Sequence, residues 1–158
     1  MGLDMYLYAE RYVSGSGFMN PSDTDTYKTL LMAIGGEKFG NKDLPSATVK
    51  LKVGYWRKAN AIHDYFVKEC QNGIDECQET YIERSSLIEL RDKCLELIKN
   101  RGNNELAKKL LPTAEGFFFG GVEYDDWYWQ EIENTYKLLT DLLINVPDDW
   151  QFIYRSSW

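Results

Sequence analysis

With 158 residues, 44% of them hydrophobic, the chain has the length of one ordinary domain. It is long enough to bury roughly two-thirds of the surface that its unfolded form exposes, so no metal or disulfide staple is needed. A formal net charge of −7 argues against a general binder of phosphate backbones, which needs a clustered basic face, and no direct nucleic-acid partner is expected.

No apolar run approaches the roughly 20 residues of a membrane span, and the N-terminus lacks the basic-then-apolar order of a secretion signal. The odd, widely spaced Cys70, Cys77 and Cys94 fit reduced cytoplasmic thiols and not a zinc set.

Leu3, Met5, Leu7 and Ala9 alternate with Asp4, Tyr6, Tyr8 and Glu10, the period-two pattern of a half-buried strand with a wide tyrosine face. Ser14-Gly15-Ser16-Gly17 ends it. Pro21-Ser22-Asp23 offers caps for a helix whose Tyr27, Leu30, Leu31 and Ile34 recur at helical spacing, and Gly35-Gly36 stops that helix. The glycines of 35–40 follow a helix and lack the Gly-Lys-Ser/Thr of a phosphate loop, so they read as a connector. Val49, Leu51 and Val53 make a second strand, with Lys50 and Lys52 on its other side.

From Gly54 onward the spacing predicts a helix. Tyr55, Ala59, Ile62 and Phe66 form its stripe to bury, while Trp56, Asn60, His63 and Val67 form the neighbouring edge. This helix ends near Asn72-Gly73, ahead of a short extended Thr80-Tyr81-Ile82. Ser86 with Glu89 has the form of a capping box. It opens a helix that buries Leu87, Leu90, Cys94 and Leu97 and ends at Gly102, and a shorter helix over 104–111 stops at Pro112.

The glycine-bracketed Phe117, Phe118 and Phe119 read as a short strand or tight loop. Asp125-Asp126 suit the positive end of a helix dipole, and Ile132, Tyr136, Leu139 and Leu143 supply that helix's core stripe. Pro147-Asp148-Asp149 turns the chain into a last strand, where Trp150, Phe152 and Tyr154 alternate with Gln151, Ile153 and Arg155. This order lacks regular strand-helix alternation and predicts an α+β fold, a small, mostly antiparallel sheet packed with about five helices. A single domain over 1–158 is expected.

Candidate chemistry concentrates after Gly54. A helix beginning there would draw an anion to its free N–H groups. Arg57 would add a forked donor and Lys58 a point charge, and Trp56 would offer a flat face to a base. Asn60 and His63 would read polar edges, and Tyr124 and Trp127 would form the opposite wall. A plainer reading has Arg57 and Lys58 paired with carboxylates, Trp56 packed, and His63 satisfied and partly buried. Both readings stand at the level of sequence. His63 is of the residue type that can serve as a general base near neutral pH, but no serine or cysteine lies in a nucleophile motif, and no catalytic residue is assigned. Glu115, Glu123, Asp125 and Asp126 lack calcium-loop spacing, and no metal or other cofactor is expected.

Three segments carry a resemblance: Met-Gly-Leu-Asp-Met-Tyr-Leu (1–7), Tyr-Trp-Arg-Lys-Ala-Asn-Ala-Ile-His (55–63) and Leu-Leu-Pro-Thr-Ala-Glu-Gly-Phe-Phe-Phe-Gly (110–120). Together they resemble a family of small, mostly uncharacterised bacteriophage-encoded proteins, over nearly the whole chain. The resemblance implies an accessory protein in the bacterial host cytoplasm. By analogy with small phage proteins that counter host defence, the expected function is non-enzymatic capture of a small anionic, nucleotide-like signalling molecule. Two alternatives from other classes are an acidic inhibitor docking on a basic host defence protein through its carboxylates and tyrosines, and a small hydrolase using His63. The aromatic content of 15% also suits a homo-oligomer.

Overall fold

A computed structural model describes residues 2–18, 20–116 and 118–158. Strands β1 (Asp4–Ser14), β2 (Ser46–Arg57), β3 (Thr80–Ile82) and β4 (Gln151–Ser157) form one antiparallel sheet in the order β2-β1-β4-β3. Among the described residues five α-helices accompany it: α1 (Asp23–Ile34), α2 (Asn60–Tyr65), α3 (Arg84–Lys99), α4 (Asn104–Leu110) and α5 (Asp126–Asn145). The α+β class follows from the sequence pattern as expected. β3 pairs with β4 so that Tyr81 faces Ile153 and Thr80 faces Tyr154.

The core is built from one face of the sheet and the apolar stripes of the helices. Leu3, just ahead of β1, and Met5, Leu7 and Ala9 of β1 are buried, and β4 buries Phe152 and Tyr154. α3 contributes Leu87, Leu90, Cys94 and Leu97 and packs along α5, which contributes Trp129, Ile132, Leu139 and Leu142. Each large aliphatic side chain in such a place is worth about 2–5 kcal/mol against truncation to alanine. The Phe66 ring stacks on Tyr154 with centroids 4.1 Å apart, joining the helical layer to the sheet. Helix ends follow local chemistry: Asp125 accepts the Tyr128 backbone N–H at 3.1 Å, and Asn103 accepts that of Leu106 at 3.1 Å.

Three expectations are corrected. The helix expected from Gly54 begins at Asn60, and β2 runs on through Arg57. Gly54 is not a stop, because a Cβ there would lie 3.1 Å from Leu7 Cβ and 3.2 Å from Leu138 Cδ2; its missing side chain lets the layers close up. Val53, Gly54 and Trp56 all turn inward, so the alternation slips by one residue and exchanges Tyr55 for Trp56 in the buried stripe, while Ala59, Ile62 and Phe66 are buried as expected. Tyr55 is 50% exposed and Trp56 only 3%. Strand pairing persists to the Lys58 N–H, which donates to the Leu3 carbonyl at 2.8 Å, and Lys58 then turns the chain into α2 with φ of 57°.

Secondly, Ser86 lies inside the first turn of α3, whose N-cap position is Glu83, and no side-chain cap bond forms there. The Ser86 carbonyl instead accepts the Tyr65 hydroxyl at 2.8 Å. Thirdly, of the α1 stripe only Tyr27 is buried, and Ile34 is exposed. Phe117 lies outside the described residues, and Phe118 and Phe119 sit in irregular backbone.

The chain divides into two compact units, Met1–Ala9 with Lys52–Trp158, and Glu10–Leu51. In the second unit Arg11 pairs with Asp23 at 2.7 Å and the Gly15 N–H donates to the Pro45 carbonyl at 2.7 Å. This unit holds five acidic and five basic residues, so the whole charge of −7 belongs to the first unit. Among the described residues no helix is long and apolar enough to cross a membrane.

Candidate functional site

Trp127 and Glu131 stand one helical turn apart near the start of α5 and divide two concavities of the first unit, lining both. On one side is a cavity of about 270 Å³, walled by Lys58, Asn60, Gly121, Glu123, Asp125 and Tyr128 among others. On the other, an open groove of about 550 Å³ runs between β2 and α5, walled by Lys52, Tyr55, Trp56, Arg57, Asn134 and Leu138.

The structure sorts the seven candidate residues into two sets. Trp127 is 58% exposed and presents its ring to both concavities. Arg57 is exposed on the groove and Lys58 on the cavity, and among the described residues no carboxylate pairs with either. These three remain available to a ligand.

The other four are engaged in the fold, which corrects their proposed roles. Trp56 is buried and its indole N–H donates to Thr135 Oγ1 at 2.9 Å, so its ring is a core element and offers no face for stacking. Asn60 is buried, with its amide donating to the carbonyls of Phe119 and Gly121 at 3.2 and 2.7 Å, while its oxygen accepts the Ala114 N–H at 3.2 Å. It staples Ala114, Phe119 and Gly121 to α2, so both of its polar atoms are already bonded within the fold. His63 is 1% exposed, with Nδ1 against the Tyr154 hydroxyl at 2.7 Å and Nε2 against Asp75 at 2.9 Å. Burial holds the Tyr154 phenol well above its usual range. A histidine sealed this way has no path to a substrate. Tyr124 lines neither concavity and accepts the Thr113 N–H at 3.3 Å through its hydroxyl.

Charge distinguishes the two sides of Trp127. The cavity sets Glu123, Asp125 and Glu131 against Lys58, whereas the groove sets Lys52 and Arg57 against Glu131. The groove is therefore the more cationic of the two concavities. Burial raises the Glu131 carboxyl above its ordinary value, and the Asn134 amide 3.4 Å away acts in the opposite direction. With β2 extended through Arg57, no helix begins at Gly54, and the side chains of Lys52 and Arg57 make up the positive wall.

Lys52, Glu131 and Asn134 escape notice in the sequence. Their signals are the outward period of Lys50 and Lys52 on a strand and the four-residue spacing of Trp127 and Glu131 on a helix. Among the described residues no group of three or more His, Cys, Asp or Glu is placed to hold a metal ion. Comparison with protein-family models, curated proteins and solved structures finds no match to the chain.

Proposed function

We propose that the chain is a non-enzymatic binding protein that captures a small anionic ligand bearing a flat ring, a nucleotide-like molecule, in the groove between β2 and α5. The observation behind this reading is that Trp127 and Arg57 wall one groove, the first largely exposed and the second without a carboxylate partner among the described residues. Arg57 and Lys52 supply a forked and a point cation for phosphate. Trp127 supplies a stacking face worth about 1–3 kcal/mol per base, and Asn134 a polar group for a base edge. In a phage accessory protein such capture would withdraw a signalling nucleotide from the host's defence, a role that rests on the family resemblance.

Isothermal titration against nucleoside monophosphates, cyclic oligonucleotides and ADP-ribose tests the reading. Arg57→Ala and Trp127→Ala are each expected to weaken the ligand that binds by about tenfold or more, equivalent to roughly 1.4 kcal/mol. Both residues are exposed, so the variants should fold normally. Absence of heat across the panel, or binding indifferent to both substitutions, removes the groove as the site.

A further inference from the structure

The groove opens at its β2 side onto the sheet face that the core does not use. Phe152, Tyr154 and Ser156 of β4 point inward, which turns Gln151, Ile153 and Arg155 the other way. Asp4, Tyr6 and Tyr8 of β1 and Lys52, Tyr55 and Arg57 of β2 share that outer side. Ile153 is 3% exposed yet lies outside the core cluster, so side chains of the outer face cover it, and Tyr81 is its register partner on β3.

The rings on this face are held in place. Tyr6 stands 5.5 Å from Tyr55 and 6.3 Å from Tyr8, centroid to centroid. The Tyr55 hydroxyl donates to Asp4 at 2.5 Å, and the Lys52 ammonium sits 4.5 Å over the Tyr6 ring. Arg57 and Arg155 are exposed and have no carboxylate partner among the described residues, although their unit carries the entire excess of acid. Cations without acidic partners in an acidic unit mark a local preference for an anion. A row of fixed rings beside them adds a preference for flat groups.

We propose that this outer face continues the groove as a platform for a short single-stranded oligonucleotide. Trp127 takes one base and the exposed Tyr55 takes the next, with Tyr6, its own ring capped by the Lys52 ammonium, bracing Tyr55 from β1. Arg57, at the junction of groove and face, holds the backbone, and Arg155 holds it further on. This extension rests on the groove being a nucleotide site. A nucleic acid fits better than an acidic protein because Tyr55 and Arg57 belong both to the groove and to the face, so the stacking surfaces are continuous. Duplex is disfavoured, since its dense phosphate charge needs a broad basic surface that a unit of charge −7 does not offer.

The test measures binding of an adenosine monophosphate, a short fluorescein-labelled single-stranded RNA, the same RNA as duplex, and a polyglutamate peptide. Single-stranded RNA is expected to bind more tightly than the monophosphate. Arg155→Ala, outside the groove, should weaken the RNA alone, and Tyr55→Ala, at the junction of groove and face, should weaken the RNA more than the monophosphate, by about 5- to 150-fold, the range a lost stacking contact represents. Tyr55→Phe, which keeps the ring, should retain most of the affinity. Equal affinity for RNA and monophosphate, or RNA binding indifferent to both alanine variants, overturns the platform and leaves the groove site standing. Binding of polyglutamate but not RNA overturns it in favour of an acidic protein partner. If neither the monophosphate nor the RNA binds, groove and platform fall together.

Discussion

The indole N–H of Trp56 donates to Thr135 Oγ1 across 2.9 Å, tying the inner side of β2 to the middle of α5 where neither side chain meets solvent. The bond sets how closely α5 approaches β2, and hence how the floor of the groove is formed. Thr135→Val keeps the shape and removes the acceptor. It leaves a buried N–H unpaired and is expected to cost about 1–3 kcal/mol, read as a lower denaturation midpoint with an unchanged m-value. A neutral result would mean that the indole finds another partner.

Asp75 joins three elements. One oxygen meets His63 Nε2 at 2.9 Å and Trp158 Nε1 at 2.9 Å, and the other meets the Ser156 hydroxyl at 3.3 Å. Asp75→Ala strands the buried His63 nitrogen and frees the end of β4. A loss of about 1–3 kcal/mol is expected, together with faster amide exchange over 151–158. Unchanged exchange there would show that Asp75 does not hold the strand.

The Glu131 carboxyl, raised by burial, makes stability depend on pH in a defined direction. Its folded-state pKa lies above the ordinary value of 4.5, so between the two values the native state holds more protons than the unfolded chain. Its contribution is therefore most favourable below that window and is lost as pH rises through it. Glu131→Gln should gain stability relative to the parent on going from acid to neutral pH, and should bind an anionic ligand more tightly by removing a negative charge from the groove. A pH-independent difference in denaturation midpoint would contradict this assignment.

Cys94 is fully buried on α3, and burial alone pushes its thiol far up. Since the thiolate is the reactive form, alkylation of the native protein at neutral pH should spare Cys94 until the fold opens, and denaturant should make all three thiols reactive. Native-state labelling of Cys94 at the denatured rate would place it outside the core.

Lys58 holds φ of 57°, a left-handed conformation that costs a side-chain-bearing residue about 1–2 kcal/mol. Lys58→Gly should recover part of that, raising the unfolding midpoint. Anion binding in the groove should change little, because the Lys58 side chain lines the cavity on the far side of Trp127. A large loss of affinity would shift the site to the cavity.

The alternation of Leu3, Met5, Leu7 and Ala9, the stripe of Leu87, Leu90, Cys94 and Leu97, and the Asp125 cap are legible in the sequence because each depends on neighbours a few residues away. The same period rules fail at Gly54. Tyr55, Ala59, Ile62 and Phe66 satisfy a helical spacing, but the hydrogen bond from Lys58 to Leu3 keeps Tyr55 in the strand and starts the helix only after it. No local signal records that bond, nor the close approach of Leu7 and Leu138 that makes Gly54 an inward position.

The sequence by itself determined the fold class, the faces of most elements, and the presence of Arg57, Lys58 and Trp127 as groups with ligand chemistry. The tertiary structure alone decided which candidates stay free. Trp56, Asn60 and His63 are claimed by Thr135, by Ala114, Phe119 and Gly121, and by Asp75 and Tyr154, partners up to 91 residues away. The physical reason is that a buried polar group must find a partner, and which partner lies within 3 Å depends on how distant segments pack and not on the spacing of the chain.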